Sequence, residues 1–355
     1  MTKILHIHPD EKMANKFVLP LIEHEVLLGN ISKLLVFNKH SNKSSILHCD
    51  LNLLNLALPI QSIKFLFILY KYKPEIVFFH NSLQSTLPMI LSKVFKINKR
   101  IYFNHGITFL GYEGILKYLF FFIEKLNLLI SDITITVSED MKKILDKIKP
   151  NTILIHNGSA CGLDLKKYIN EKNKEIKKEK IKVSYIGRLK KRKGSLILVD
   201  IVKYFNNRKD VEFILCGFNQ DDFFKISKKK YKNVKFLGYV ENIQKVYQET
   251  DILILPSYHE GMPYVILEAM SNGILIIANN IPGINSLIKK NYSGILVDKN
   301  ASELYISEIK KISANKKLLY KYTSACLKIV KKFDRVEFLK KYSKLLNLIK
   351  KKSGT

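Results

Sequence analysis

Ser257-Tyr-His-Glu-Gly-Met-Pro-Tyr-Val-Ile-Leu-Glu-Ala-Met270 decides how this chain is read. The apolar tetrapeptide Ile252-Leu-Ile-Leu255 stands directly before it and has the length of a buried strand. Residues 265–270 continue as a helix. A strand that passes through a Gly/Pro turn into a helix leaves backbone N–H groups available to a phosphate. Two carboxylates, Glu260 and Glu268, stand eight positions apart, about 12 Å if the whole interval is helical. That span suits a ligand with a sugar at one end and a ribose at the other, because a carboxylate accepts hydrogen bonds from neighbouring hydroxyls. A solvated helix start with two ordinary glutamates is the plainer alternative.

Roughly seventy residues upstream, Ile186-Gly-Arg-Leu-Lys-Lys-Arg-Lys-Gly194 lies between an expected strand, 182–186, and an expected helix, 195–205. Gly187 permits a tight turn. Arg188 can grip a diphosphate with two parallel bonds, and Lys193 can meet it as a point charge. In so lysine-rich a chain, a plain surface loop is the alternative. A third candidate is Asn104-His105-Gly106, after the strand 100–104, since a His at a strand's carboxyl end can reach the crevice of an open α/β sheet. A capping or surface His is the alternative there. His6 and His8 form an H-x-H pair, but no third metal ligand accompanies them.

Strands and helices alternate through the rest of the chain, which predicts parallel α/β layers. In the first half, strands are expected at 3–8, 33–37, 75–79, 133–137 and 152–155. Helices are expected at 15–28, 62–72, 87–95, 114–129 and 139–147, the last capped by Ser138. In the second half the strands are 212–216, 234–237, 252–255, 275–278 and 295–297, and three helices close the chain. A chain of 355 residues with 47% apolar content supports two cores. The polar stretch 166–180 divides them into domains 1–165 and 166–335, followed by a helix at 336–350. Cys49, Cys161, Cys216 and Cys326 are scattered and read as reduced thiols. The chain enters a strand at once, so no leader is expected. The most apolar piece, 115–130, carries Lys117, Glu124 and Lys125 and is too short to span a bilayer. The net charge of +29 has two readings, attraction to an anionic surface or compositional drift toward lysine. No nucleic-acid-binding pattern accompanies it.

Glu260 and Glu268 within S-Y-H-E-G-M-P-Y-V-I-L-E-A-M, together with the upstream G-R-L-x-x-x-K-G, resemble the donor signature of the retaining GT-B glycosyltransferases of family 4. Asn104-His105-Gly106 is similar to that family's His-Gly element. Asn157-Gly-Ser-Ala-Cys-Gly-Leu-Asp164 and Ile281-Pro-Gly-Ile-Asn-Ser-Leu-Ile288 resemble segments of its bacterial capsule and O-antigen branch. Asn285, Ser286 and His259 stand where that branch often has Arg, Glu and Arg. The resemblance implies two Rossmann-like parallel α/β domains facing across a cleft, with the last helix returning to the first domain.

It also implies the chemistry. Arg188 and Lys193 hold the diphosphate of a nucleotide sugar, a UDP-sugar by preference. Gly187, Gly261, Met262, Pro263 and Tyr264 line its phosphates, Glu268 takes the ribose, and Glu260 and His105 take the sugar. No D-x-D follows a strand, so no dedicated Mg²⁺ site and no cofactor are expected. Attack comes from the face the leaving group departs, with the leaving phosphate as base. Domain closure excludes water. The acceptor is a lipid-linked or oligosaccharide glycan, placing the protein in the cytoplasm at the inner membrane face. The helix 114–129, with Ile115, Leu116, Leu119, Phe120, Ile123 and Leu126 in a stripe, Phe121 and Phe122 on a flank and Lys117 and Lys125 beside them, is read as interfacial, although a core-facing helix shows the same stripe. A GT-B nucleotide-sugar epimerase and a non-catalytic nucleotide-sugar binder are the competing classes.

Overall fold

The computed structural model describes residues 1–38, 40–41, 46–51, 57–168, 180–298 and 301–351. Most of the stretch expected to link two domains, at 169–179, lies outside them. The chain divides into two compact units, Met1–Gly162 with Arg335–Thr355, and Leu163–Asp334.

Unit 1 is built on seven parallel strands: β1 (Lys3–Asp10), β2 (Ile31–Asn38), β3 (Ile46–His48), β4 (Ile76–His80), β5 (Lys99–Asn104), β6 (Ile133–Thr136) and β7 (Ile153–Leu154). Their order is β3-β2-β1-β4-β5-β6-β7. Unit 2 has six: β8 (Ile181–Ile186), β9 (Val211–Cys216), β10 (Val234–Gly238), β11 (Ile252–Leu255), β12 (Leu275–Asn279) and β13 (Ile295–Val297), in the order β10-β9-β8-β11-β12-β13. Central strands such as β4, β11 and β12 are buried along their whole length. Helices cover both faces of a parallel sheet, so its inner strands read as unbroken apolar runs. Each sheet reverses its winding once, between β1 and β4 in unit 1 and between β8 and β11 in unit 2. Ligands of such sheets bind at the carboxyl ends of the strands flanking that reversal.

Most expected elements form where their patterns lie, and Ser138 accepts a bond from the Met141 N–H at the helix Glu139–Asp146. The single helix expected at 15–28 is two, Glu11–Phe17 and Leu19–Leu27. Pro20 sits in the first turn of the second, where a missing N–H costs nothing, and Asp10 caps the first. The helix Gln220–Ser227 was hidden in a polar stretch and is capped by Asn219. The final helix, Arg335–Lys351, belongs to unit 1, where Tyr342 is buried against Phe78 and donates to Glu25. No disulfide joins the buried cysteines among the described residues.

The helix Gly114–Ile130 is amphipathic the wrong way round for a core element. Its buried side holds Glu124 and Asn127 with Leu128 and Ile130. Glu124 accepts bonds from Ser82 at 2.7 Å, Tyr102 at 2.8 Å and Asn104 at 2.7 Å, and Asn127 donates to the Ser82 carbonyl. Ile115, Leu116, Tyr118, Leu119, Phe121 and Phe122 point to solvent, Ile115 at 84% exposure. In the helix Leu58–Tyr72, Ile60, Ile63, Phe67 and Tyr70 recur every three or four residues on one exposed face, while Phe65 and Leu69 face inward. The helix Thr86–Val94 packs against both and exposes Val94.

Candidate active site

The two charged motifs of unit 2 emerge from β8 and β11, the adjacent strands at its winding reversal. Backbone contacts draw their loops together. The Tyr258 N–H donates to the Arg192 carbonyl at 2.9 Å. Gly194, at φ +77°, lies so close to Pro256 that a Cβ would fall 2.1 Å from that carbonyl oxygen. Gly217, after β9, is pressed as tightly onto the Gly187 carbonyl, and Gly283 onto that of Gly261. Asn279, at the end of β12, donates to the Ser257 carbonyl at 3.0 Å and accepts from Tyr305 at 2.8 Å. These glycines and Asn279 fix the loops; the sequence reading quotes Gly194 and Gly283 only as members of motifs and does not name Gly217 or Asn279.

Lys193 and Glu260, 67 positions apart in the chain, meet: Nζ donates to Oε1 at 2.5 Å, and both side chains are largely buried. Arg188 is exposed, and its guanidinium makes no hydrogen bond or ion pair among the described residues. Its carbonyl is held by the Tyr185 hydroxyl at 3.0 Å. Met262, Pro263 and Tyr264 are buried, so at Met262 the backbone is the part left to a ligand.

Only Tyr264–Met270 is helical. The 12 Å helical span expected between the two glutamates is therefore replaced by a loop and little more than one turn, since residues 260–263 are not helical and Pro263 takes extended backbone. Glu268 lies apart from the Lys193–Glu260 pair. It is 3% exposed and accepts from Tyr247 at 2.8 Å and from Tyr168 at 3.3 Å. Burial, with the Glu268 charge beside it, pushes the Tyr247 hydroxyl well above its ordinary range, so it stays a donor.

In unit 1, His105 follows β5 and is half-buried. Its Nε2 lies 2.8 Å from His80 Nδ1, at the end of β4. His6 and His8 do not pair as an H-x-H ligand set. His6 Nε2 sits 3.1 Å from both Glu25 oxygens, and His8 bonds the backbone of Asp10. Burial holds His8 down at about 4. Among the described residues no group of three or more His, Cys, Asp or Glu is placed to hold a metal ion. None of their helices is long and apolar enough to cross a membrane.

Residues 167–326 match the family described as glycosyl transferases group 1. An Escherichia coli UDP-Gal:alpha-D-GlcNAc-diphosphoundecaprenol alpha-1,3-galactosyltransferase is 28% identical over 81% of this chain and 79% of its own. The Staphylococcus aureus capsular polysaccharide biosynthesis glycosyltransferase CapM is 22% identical over 70% of each. An Escherichia coli O-antigen biosynthesis glycosyltransferase, WbnH, is 29% identical over 58% of each. Among solved structures, Anabaena HepE in complex with UDP and glucose superposes with a TM-score of 0.80 at 17% identity, over 98% of this chain and all of that one. The fold, two parallel α/β units, is that of GT-B proteins.

Proposed function

We propose that this chain, a glycosyltransferase of group 1 with relatives in bacterial capsule and O-antigen synthesis, moves a sugar from a nucleoside-diphosphate donor to a lipid-linked glycan with retention of anomeric configuration. The observation that carries this reading is the Lys193–Glu260 pair, set where β8 and β11 part. A cation for phosphate and an anion for hydroxyls stand there side by side. The UDP-galactose in the name of the Escherichia coli relative supports a UDP-sugar donor, and its diphosphoundecaprenol supports a lipid-linked acceptor.

Arg188 and Lys193 hold the diphosphate, with N–H groups of Gly261 and Met262 beside them. Glu260 and His105 accept hydrogen bonds from the sugar, and Glu268 takes the ribose hydroxyls. The bond between C1 and the diphosphate oxygen breaks as the acceptor oxygen bonds to C1 on the same face. The acceptor's proton passes to the departing phosphate. Charge growing on that phosphate is met by Arg188 and Lys193, a kind of stabilisation worth about 3–4 kcal/mol per donor in a site shielded from water. Metal is not required in this scheme.

The exposed apolar faces of Leu58–Tyr72 and Gly114–Ile130 rest on an anionic membrane surface, with Lys64, Lys71, Lys117 and Lys125 around them. A panel of nucleotide sugars, offered in EDTA with a polyprenyl-diphosphate-linked sugar, tests the function. The expected outcome is transfer from one UDP-sugar, with product and donor sharing anomeric configuration by proton NMR. An inverted product, or activity only with added Mg²⁺ or Mn²⁺, would refute the mechanism.

A further inference from the structure

Behind His105 runs a row of side chains that the transfer scheme leaves unused. His105 Nε2 lies 2.8 Å from His80 Nδ1, His80 Nε2 lies 2.9 Å from His6 Nδ1, and His6 Nε2 reaches both oxygens of Glu25 at 3.1 Å. The rings stack along the row, with centroids 5.1 and 5.2 Å apart. The Tyr342 hydroxyl donates to the same carboxylate. Glu25, His6, His80 and Tyr342 are buried, whereas His105 is half-buried and its Nδ1 takes no partner among the described residues. The row thus joins a buried carboxylate to a half-buried imidazole.

Its protons can be counted. Two facing imidazole nitrogens at hydrogen-bond distance share one proton, since two lone pairs or two N–H groups repel. Burial works against the charge of Glu25, but His6 and the hydrogen bonds from His6 and Tyr342 outweigh it and hold the carboxyl below its ordinary value. An ionised carboxylate only accepts, so His6 Nε2 carries a proton. Burial, aided by its neighbours' charge, holds His80 far below the usual imidazole value. Burial and the nearby His8 take His105 to about 3. If each ring carries a single proton, His6 Nδ1 accepts from His80 Nε2–H, and His80 Nδ1 accepts from His105 Nε2–H. His105 is left with a lone pair on Nδ1. A second proton on His6 would reverse every bond and turn that lone pair into an N–H.

We propose that Glu25, acting through His6 and His80, sets which nitrogen of His105 carries its proton, so that His105 offers the Nδ1 lone pair to a sugar hydroxyl. Glu25, His6 and His80 are positioning residues in this scheme. The part concerning the sugar rests on the transfer reading above, and the part concerning the tautomer does not. The ring nitrogen that makes the inner hydrogen bond decides what the outer one presents.

Long-range proton–nitrogen NMR on the full chain, labelled with ¹⁵N at histidine, reads the tautomers directly. At neutral pH the wild type is expected to show His6, His80 and His105 all protonated at Nε2. Glu25→Gln brings an amide that can donate to His6, and His80→Phe keeps a stacked ring while cutting the row. Both should move His105 toward Nδ1–H and lower kcat/KM for the donor about tenfold, the scale of one hydrogen bond. Tyr342→Phe leaves the His6–Glu25 bonds in place and should leave the His105 tautomer unchanged. An Nδ1–H signal from His105 in the wild type overturns the proposal even if no variant folds. Unchanged His105 signals in both row variants overturn it as well. Expected tautomers in a chain that transfers no sugar would leave the row standing and defeat the transfer reading instead.

Discussion

The two sheets end differently where their winding reverses. In unit 2 the strand ends carry charge: Arg188 in solvent, and Lys193 locked to Glu260. In unit 1 the groups at and beside the ends of β4 and β5 are pushed toward their neutral forms. Burial holds His80 and His105 below their ordinary values and, against the pull of Ser82, Tyr102 and Asn104, lifts Glu124 to about 7. One architecture therefore supplies two environments. A charged end suits an ionic ligand, and a neutral one suits hydroxyls, which need donors and acceptors without a net field.

The sharpest way to break this contrast is to remove the neutral carboxyl. Glu124 has a folded value above its ordinary 4.5. Below 4.5 both folded and unfolded states hold the proton, and its contribution is intact. As pH rises toward 7 the unfolded chain releases the proton more readily, so stability falls, and above 7 the loss is complete. Glu124→Gln abolishes this dependence, with the Ser82 hydroxyl free to turn and accept from the amide. Urea unfolding should show the variant gaining on the wild type by about 2.5 kcal/mol between pH 5 and 8. A constant difference across that range would mean that Glu124 is ionised in the fold.

In unit 2 the corresponding change is loss of charge. Arg188→Ala and Lys193→Ala should each lower kcat/KM roughly 10²-fold or more, with unfolding midpoints little changed. Wild-type turnover in either variant would remove these residues from the site.

Two glycines with nearly the same backbone sharpen the comparison further. Gly29 in unit 1 has φ +78° and open space around it, while Gly194 in unit 2 has φ +77° and Pro256 against it. Alanine at position 29 should cost about 1 kcal/mol, the penalty of a left-handed residue. At 194 it should cost about 2 kcal/mol more, because backbone must move. Equal costs in denaturant would show that the loop after β8 gives way freely.

The smallest effect concerns the outer face of unit 1. Lys117→Glu with Lys125→Glu should weaken binding to anionic vesicles by about 2 kcal/mol at low salt, near 1 kcal/mol for each lysine lost. Neutral vesicles should bind little in either case. Equal, salt-insensitive binding to both kinds of vesicle would refute the electrostatic part.

What could be read from the sequence follows from range. Period and composition announce β11, β12 and the helix Ser195–Phe205, because each pattern lies within one element. Pro20 marks the break between the first two helices, yet the apolar pattern runs across it and hides the break. Arg188, Lys193, Glu260 and Glu268 stand in short motifs, so their chemistry was visible as candidates. Their arrangement was not: the Lys193–Glu260 bond, the Tyr247 clamp on Glu268 and the crowding of Gly283 against Gly261 depend on how β8, β9, β11 and β12 line up. The histidine row was least legible. His6, His80 and His105 come from three strands, and a local reading saw in His6 only half of an H-x-H pair. For the helix Gly114–Ile130, periodicity gave an apolar stripe without saying which side faces out. Glu124 and Asn127 decide it, through partners on β5 and after β4.

The bond between Lys193 and Glu260 has a further meaning for discrimination. Lys193 already holds its own counter-ion, tethered at a high effective concentration. A bare phosphate or diphosphate must compete with that carboxylate for the ammonium, and displacing it strands a partly buried anion without a partner. A visitor that brings an anion together with hydroxyls gives Lys193 a replacement and Glu260 new donors in the same event. Under the proposed function the pair would act as a two-key lock, favouring a ligand that brings an anion and hydroxyls together over bare inorganic phosphate.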